Sequence, residues 1–373
     1  MTQELRRDPL LSRYEGWRSF AEAPSIGAQT RLNREQLFAL GDAAREEYNE
    51  RRRTHHASFL IKTPQVATIH AHLWDLLDAN MQGTDRVKGA AVVDAPPALG
   101  KSTTVNAFGR EFHQQQIRRF GTHLDDGQTL HIPVCRVGFA GNMTTRGLNE
   151  MILGFYAHPA VATSRNANVR NRNLAATAAD CVQRHGTRLL IVDDVHFLKM
   201  HTKDGIEVAN ELKWLANGYP ATFLFTGVDL RNTGLLSEGF QGRRTAMAQT
   251  ARRWTLLTME PFSIVDEAAA RTWKTLLATI ETKLLLADAR DGMLQEMADY
   301  LFERSTGMIG SLFELIIRGC ARAIRTESEQ ISRDLLDGIR IDEAAEERRS
   351  HVARETEQRR LHSSSRQRPE KAG

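Results

Sequence analysis

The most constraining feature of this sequence is a short loop that joins an apolar run to a helical pattern. The run Gly89–Asp94 reads GAAVVD, the next eight residues read APPALGKS, and a helical pattern covers Thr103–Gln114. Backbone N–H groups of such a loop and of a helix N-terminus can surround an anionic phosphate. The order strand, loop, helix therefore predicts a phosphate-binding loop of the P-loop type.

Two residues of this loop carry the expected nucleotide chemistry. Lys101 is expected to reach the β- and γ-phosphates of ATP, and the Ser102 hydroxyl is expected to bind Mg²⁺. Ala95 stands where the motif has its first glycine, which is tolerable if φ stays negative. The candidate nucleotide-binding residues are Ala95, Pro96, Pro97, Ala98, Leu99, Gly100, Lys101, Ser102 and Thr103.

A second motif places two carboxylates at the end of an apolar strand pattern. Leu189–Val192 are apolar, and Asp193 and Asp194 follow them. Open parallel sheets bind ligands at the carboxyl ends of their strands. We expect Asp193 to hold Mg²⁺ through its water shell and Asp194 to polarise the attacking water. The alternative is a strand that ends in a turn with two solvated acids.

Two further groups complete the candidate catalytic set. Thr226 ends the predicted strand Ala221–Thr226 and could contact the γ-phosphate or the water, with a plain strand end as the alternative. An arginine before the weak strand pattern Leu256–Met259 could reach a neighbouring subunit's γ-phosphate, as arginines do in ring ATPases. Arg253 is the first candidate for this role. The other candidates are Arg243, Arg244 and Arg252.

The order of apolar patterns predicts an α/β fold followed by helices. Near-continuous apolar runs separated by amphipathic segments indicate a parallel sheet covered on both faces. The five predicted strands are Gly89–Asp94, Leu130–Val137, Arg188–Asp193, Ala221–Thr226 and Leu256–Met259. Three helical patterns follow, over Ala268–Glu281, Met293–Arg304 and Ser311–Arg325.

These patterns divide the chain into four segments. Residues 1–56 are expected to form an N-terminal arm, which is loose to about residue 35, and a charged helix over 34–53. Residues 57–265 are expected to form the α/β core, and residues 266–342 a small helical lid. Residues 343–373 are expected to be a disordered, charged tail. A basic cluster is interpreted as a solvated helix end, with a DNA or partner contact as the alternative. Its members are Arg51, Arg52, Arg53, His55 and His56.

Composition excludes several classes of protein. With 41% hydrophobic and 26% charged residues, the 373-residue chain has ordinary globular values. No apolar run approaches the roughly 18 to 20 residues of a membrane span, and the N-terminus lacks a signal-peptide core. Cys135, Cys181 and Cys320 are far apart and suggest neither a metal site nor a disulfide framework. We expect a soluble protein of the reducing cytoplasm without membrane contact.

Taken together, the motifs resemble those of the AAA+ ATPases and, more narrowly, of the TniB/TnsC family of transposition ATP-binding proteins, relatives of MuB. The resemblance covers roughly residues 32 to 340. Besides the P-loop it rests on YNERRRTHHASFLIKTP, IPVCRVGFAGNMTTRGLNEMIL, RLLIVDDVHFL, FTGVDL, ARRWTLLTMEPF and ERSTGMIGSLFELIIRGCARAI. The family usually has Asp-Glu where this chain has Asp193-Asp194, and the DDVHFL form also resembles initiators of the DnaA type. Ser311 and Leu312 stand where many AAA+ lids carry a sensor-2 arginine, and Arg318 follows two turns later.

The resemblance implies an AAA+ P-loop core with ATP and Mg²⁺ as cofactors. It also implies a bacterial, nucleoid-associated homo-oligomer, either a ring or a helical filament, on duplex DNA. Such an oligomer recruits a transposase, with a target-selection protein as a further partner. The candidate DNA contacts, with plain exposed basic loops as the alternative, are Thr144, Thr145, Arg146, Arg165, Arg170 and Arg172. Two other functions stay open: a replication initiator or helicase loader, and a signalling or defence NTPase switch.

Overall fold

The computed structural model describes residues 10–24, 29–58, 60–82, 88–138, 144–161, 171–195, 218–230, 254–347 and 349. The chain divides into two compact units: Met1–Ser25 with Pro64–Glu260, and Ile26–Thr63 with Pro261–Gly373. Most of the tail predicted over 343–373, and residues 139–143, 162–170, 196–217 and 231–253, lie outside the described residues. None of the helices in the described ranges has the length and apolarity that crossing a membrane requires.

The first unit is built on a five-stranded parallel sheet in the order β2-β3-β4-β1-β5. Its strands are β1 (Ala90–Asp94), β2 (Val134–Gly138), β3 (Leu189–Asp193), β4 (Thr222–Gly227) and β5 (Trp254–Thr258). Every residue of β1, β3 and β4 is buried, as expected for central strands with both faces covered. The predicted five-stranded parallel α/β core is confirmed, with strand ends shifted by a few residues.

The helices are numbered in chain order. They are α1 (Tyr14–Glu22), α2 (Arg34–Phe38), α3 (Asp42–Ala57), α4 (Pro64–Gln82), α5 (Lys101–Phe120), α6 (Thr145–Phe155), α7 (Asn171–Arg184), α8 (Glu267–Glu281), α9 (Met293–Glu296), α10 (Ala298–Ser305), α11 (Ile309–Arg325) and α12 (Arg333–Asp337). The single helix predicted over 34–53 is two helices, because Gly41 takes an extended conformation and starts α3 as its N-cap. The pattern over Met293–Arg304 is also split, since Met297 leaves helical geometry.

Helix α5 holds the loop at its N-terminus against the sheet. Phe108 and Phe112 of α5 are fully buried. Gly109 allows a second helix to approach closely: a Cβ there would lie 2.9 Å from Trp17 Cη2 and 2.7 Å from Ile191 Cδ1. Trp17 belongs to α1 and is fully buried. Residues 14–22 are therefore a packed helix, and the expectation of a loose arm was wrong for this stretch, because α1 buries an apolar face.

The second unit joins α2 and α3 to the helices that follow residue 261. Its core includes Trp273 and Leu312, both with at most 1% exposure. Arg52 of α3 makes a two-pronged ion pair with Glu329, with Nη1–Oε2 and Nη2–Oε1 distances of 2.6 Å. Both side chains are only 1% exposed. The interpretation of the basic cluster as a solvated helix end was therefore wrong for Arg52, whose charge is neutralised inside this unit.

Candidate nucleotide-binding site

The loop between β1 and α5 turns through two left-handed residues. Ala98 has φ +60° and Gly100 has φ +78°. Loops that mix left-handed and right-handed residues create concavities lined by backbone N–H groups, which favour anions. Ala95 is not among the residues with positive φ, so its methyl group meets no backbone restriction. The Ala95 N–H donates to the Gly227 carbonyl at 3.2 Å, which ties the start of the loop to β4.

Lys101 is the first residue of α5 and is only 8% exposed. Burial lowers the pKa of its ammonium, and the nearby carboxylates of Asp194, Asp193 and Asp94 act in the opposite direction. Asp94 ends β1 and is itself 9% exposed. A buried positive charge at a helix N-terminus is unfavourable unless an anion binds beside it. The concave loop with its backbone N–H groups and the buried Lys101 therefore both favour a phosphate at this position.

Ser102 and Asp193 meet directly at the carboxyl edge of the sheet. The Ser102 hydroxyl donates to Asp193 Oδ1 at 3.0 Å. The Thr226 hydroxyl donates to the same oxygen, and it accepts the N–H of Asp194 at 3.1 Å. Asp193 and Thr226 are 2% and 0% exposed. Two residues that are remote in sequence thus converge on the Asp193 carboxylate, Thr226 because β3 and β4 are neighbours and Ser102 because it lies in the first turn of α5.

This oxygen-rich cluster fits Mg²⁺, and the loop fits the phosphates of ATP. Magnesium is bound in proteins through one or two carboxylates together with substrate phosphates and water. Ser102 and Asp193 are the residues that would hold it, and Lys101 with the loop N–H groups would hold the phosphates. A bound Mg²⁺ would supply charge neutralisation at the phosphates during their transfer.

Asp194 occupies a strained position at the end of β3. Its φ is +63°, which non-glycine residues rarely adopt. This conformation costs free energy, so it persists only where contacts with neighbouring residues offset that cost. The hydrogen bond to Thr226 is one such restraint. The side chain is half-buried. Strain of this kind is typical of functional sites, which is consistent with the predicted role of Asp194 beside the attacking water.

Comparison with known proteins identifies the fold to which this loop and carboxylate belong. Residues 84–236 match a family described as AAA domain. The first unit contains all of these residues and has the α/β AAA fold of such a domain. A comparison with curated proteins finds no match.

Among solved structures, the ORC1 protein of Aeropyrum pernix in complex with DNA is similar in fold, with a TM-score of 0.52 and 12% identity, over 81% of this chain and 69% of that chain. Domain III of the DnaA replication initiation protein of Thermotoga maritima matches with a TM-score of 0.41 and 12% identity, over 75% of this chain and 92% of that chain. The first of these two likenesses supports the fold, and the second is too distant to add to it.

One residue that contacts the candidate site, Arg136, was not found from the sequence. Arg136 of β2 places Nη2 2.5 Å from Asp193 Oδ2. Arg136 pairs with Ile191 across the two strands, and Gly138 pairs with Asp193. Because side chains alternate along strands, Arg136 lies on the same face of the sheet as Asp193. The only sequence signal was a charge inside an otherwise apolar strand.

The remaining candidates are only partly described. Four candidate trans-acting arginines lie in 231–253, outside the described residues: Arg243, Arg244, Arg252 and Arg253. Arg165 and Arg170 also lie outside, as do the side chains of Thr145 and Arg172. Thr144 accepts the Gly147 N–H at 3.2 Å as the N-cap of α6. Arg146 pairs with Glu150 at 3.0 Å on the surface of α6.

In the second unit, the residues at the sensor-2 position are engaged locally. The Ser311 hydroxyl donates to Asp342 Oδ2 at 2.6 Å. Arg318 donates to the Arg340 carbonyl at 2.5 Å and pairs with Glu314. Leu312 is fully buried. These contacts hold the helices of the unit together.

Proposed function

We propose that this chain binds and hydrolyses ATP with Mg²⁺ and assembles on duplex DNA as a regulator of DNA transposition. The observation that carries the nucleotide part is the convergence of Ser102, Thr226 and Asp193 beside the buried Lys101. The transposition part is supported by the order and spacing of the motifs that resemble the TniB/TnsC family. The ORC1 protein, which is similar in fold, was solved in complex with DNA.

The proposal gives each site residue a role. Lys101 contacts the β- and γ-phosphates, Ser102 and Asp193 hold the metal, and Asp194 polarises the water. Thr226 has a single hydroxyl donor, which Asp193 accepts, so Thr226 organises the two acids. Direct donation from Thr226 to a phosphate would require it to release Asp193.

Assembly follows if each nucleotide is shared between subunits. Arg253 is the first candidate to reach the γ-phosphate of the neighbouring subunit. The alternative candidates for this role are Arg243, Arg244 and Arg252. ATP then links subunits into a ring or filament, and a filament multiplies weak phosphate contacts made by each subunit. Sequence-tolerant duplex binding results, and the assembled surface recruits a transposase and a target-selection protein.

Electron microscopy of the full chain with duplex DNA, with and without ATP, tests this proposal. The wild-type protein is expected to form rings or filaments only with ATP, and Lys101→Ala is expected to lose both nucleotide binding and assembly. Lys88→Ala is the matched control, because Lys88 precedes β1 at the other end of that strand and donates to the Pro220 carbonyl at 2.8 Å. Undiminished ATP affinity of the Lys101→Ala variant would contradict the assignment of the loop.

A replication-initiation ATPase is the second candidate. It is favoured by the fold likeness to the ORC1 protein and by the DDVHFL sequence. The two functions differ in DNA selection. A transposition regulator binds unrelated duplexes equally, and its log affinity falls with log salt by about 0.9 per phosphate contact. Tight ATP-independent binding of a monomer to one defined sequence would favour the initiator.

A further inference from the structure

The carboxylate proposed to hold Mg²⁺ already carries a cation from its own chain. Arg136 Nη2 lies 2.5 Å from Asp193 Oδ2, and the two side chains are 17% and 2% exposed. The guanidinium of Arg136 brings a positive charge into contact with this carboxylate. Asp193 is therefore neutralised as one member of an ion pair.

The two oxygens of Asp193 have different partners. Oδ1 accepts the hydroxyls of Ser102 and Thr226, whereas Oδ2 accepts Arg136. Arg136 Nε is buried and has no hydrogen-bond partner among the described residues. Within the same residues, Asp193 is the carboxylate that pairs with Arg136. The positive charge of Arg136 is consequently directed at the candidate metal ligand.

The stability of the fold does not by itself account for this pair. Removing two charges from water costs about as much as their attraction returns, and a buried ion pair can often be replaced by apolar side chains without loss. The positive charge of Arg136 nevertheless repels any second cation that approaches Asp193. A fixed positive charge in contact with a carboxylate opposes a divalent ion that would use the same carboxylate.

We propose that Arg136 is a positioning residue that weakens the binding of a free divalent cation and so makes metal entry depend on the nucleotide. This inference rests on the proposed function, because it takes Asp193 as the ligand of Mg²⁺. ATP brings several negative charges of its own, which offset Arg136. Arg136 therefore opposes the free metal more strongly than the metal–nucleotide complex, and it holds Asp193 so that Oδ1 faces Ser102.

Electron paramagnetic resonance of Mn²⁺ with the nucleotide-free full chain tests this proposal. Mn²⁺ alone is the probe, so the readout does not depend on activity. Arg136→Gln is expected to bind Mn²⁺ about tenfold more tightly than wild type, since it removes a unit charge next to the ligand. Arg136→Lys keeps the charge and is expected to retain the weak binding of wild type.

Two comparisons assign the effect to its cause. Arg188→Gln removes the same charge immediately before β3, at the opposite end of that strand from Asp193, and is expected to leave the Mn²⁺ affinity unchanged. Asp193→Asn in the Arg136→Gln background is expected to abolish the gain. Circular dichroism and thermal unfolding check that each variant folds. Where Arg136→Gln does not fold, Arg136→Met supplies the same comparison with an apolar chain.

The proposal is overturned if Arg136→Gln binds Mn²⁺ within twofold of wild type, or if the gain persists without Asp193. A fluorescent ATP analogue, titrated with EDTA present into wild type and Lys101→Ala, separates this failure from that of the proposed function. Equal analogue binding by those two proteins sinks the proposed function whatever the Mn²⁺ result. If Lys101→Ala loses analogue binding as expected but Arg136→Gln binds Mn²⁺ no more tightly than wild type, only the role of Arg136 is refuted.

Discussion

Replacing Thr226 by valine should weaken both the folding of the AAA domain and its ATPase activity. Valine nearly matches threonine in shape but lacks the hydroxyl. The substitution removes a buried donor to the Asp193 carboxylate, and it also removes the hydroxyl oxygen that accepts the Asp194 N–H. It therefore perturbs both acidic residues while leaving their side chains in place.

The expected size follows from these two contacts. A hydrogen bond to a charged group contributes about 2 kcal/mol, and the part-buried hydrogen bond from the Asp194 N–H contributes about 1 kcal/mol. The free energy of unfolding should fall by about 3 kcal/mol, which corresponds to a decrease in Tm of roughly 6 to 12 °C for a unit of this size. ATP turnover should fall as well, since the φ +63° conformation of Asp194 loses a restraint.

Urea denaturation followed by tryptophan fluorescence measures the first effect, and phosphate release measures the second. Thr226→Ser is the matched control, because it keeps the hydroxyl and loses only a methyl group. It should restore turnover and most of the stability. If Thr226→Val unfolds at the same urea concentration as wild type and hydrolyses ATP normally, the hydroxyl does not organise the acids.

Three further predictions concern packing and charge. Gly109→Ala should destabilise the first unit by about 1 to 3 kcal/mol in urea, since its methyl would overlap Trp17, and a wild-type midpoint would refute this contact. Glu329→Gln should destabilise the second unit by about 3 to 5 kcal/mol, because it leaves Arg52 charged and buried; an unchanged thermal transition would contradict this. Burial above all lowers the pKa of His56 to about 3, so below pH 6.5 the unfolded chain gains a proton that the folded chain does not. The free energy of unfolding should therefore fall by about 2 kcal/mol between pH 7.5 and 5, and His56→Gln should reduce this dependence; identical pH slopes would count against it.

The phosphate-binding loop and the acid pair of the candidate site could both be predicted from the sequence. A phosphate-binding loop is a local structure: its residues are contiguous, and the strand and helix beside it have recognisable periodicities. The same holds for Leu189–Asp193, where four apolar residues end in a carboxylate. Thr226 was found because the end of a predicted strand is a local feature. Its partner was not predictable, since the bond to Asp193 depends on β3 and β4 being neighbours.

Arg136 shows where local patterns stop. Its contact with Asp193 requires both the adjacency of β2 and β3 and a register in which Gly138 pairs with Asp193. A shift of one residue would turn Arg136 to the other face of the sheet, and nothing in the strand's own sequence fixes that register. The position of α1 is similar, because it depends on space above Gly109 that only the folded helix α5 defines.

The sequence by itself determined the fold class and the chemistry of the loop, because hydrophobic periodicity and the φ requirements of a loop act over a few residues. Tertiary structure alone decided which distant residues share a unit. Arg52 and Glu329 are 277 positions apart, and their burial together joins α3 to the helices after residue 261. A charge on a helix looks solvated in any local window. Whether it is buried depends on a partner that only the folded chain brings within reach.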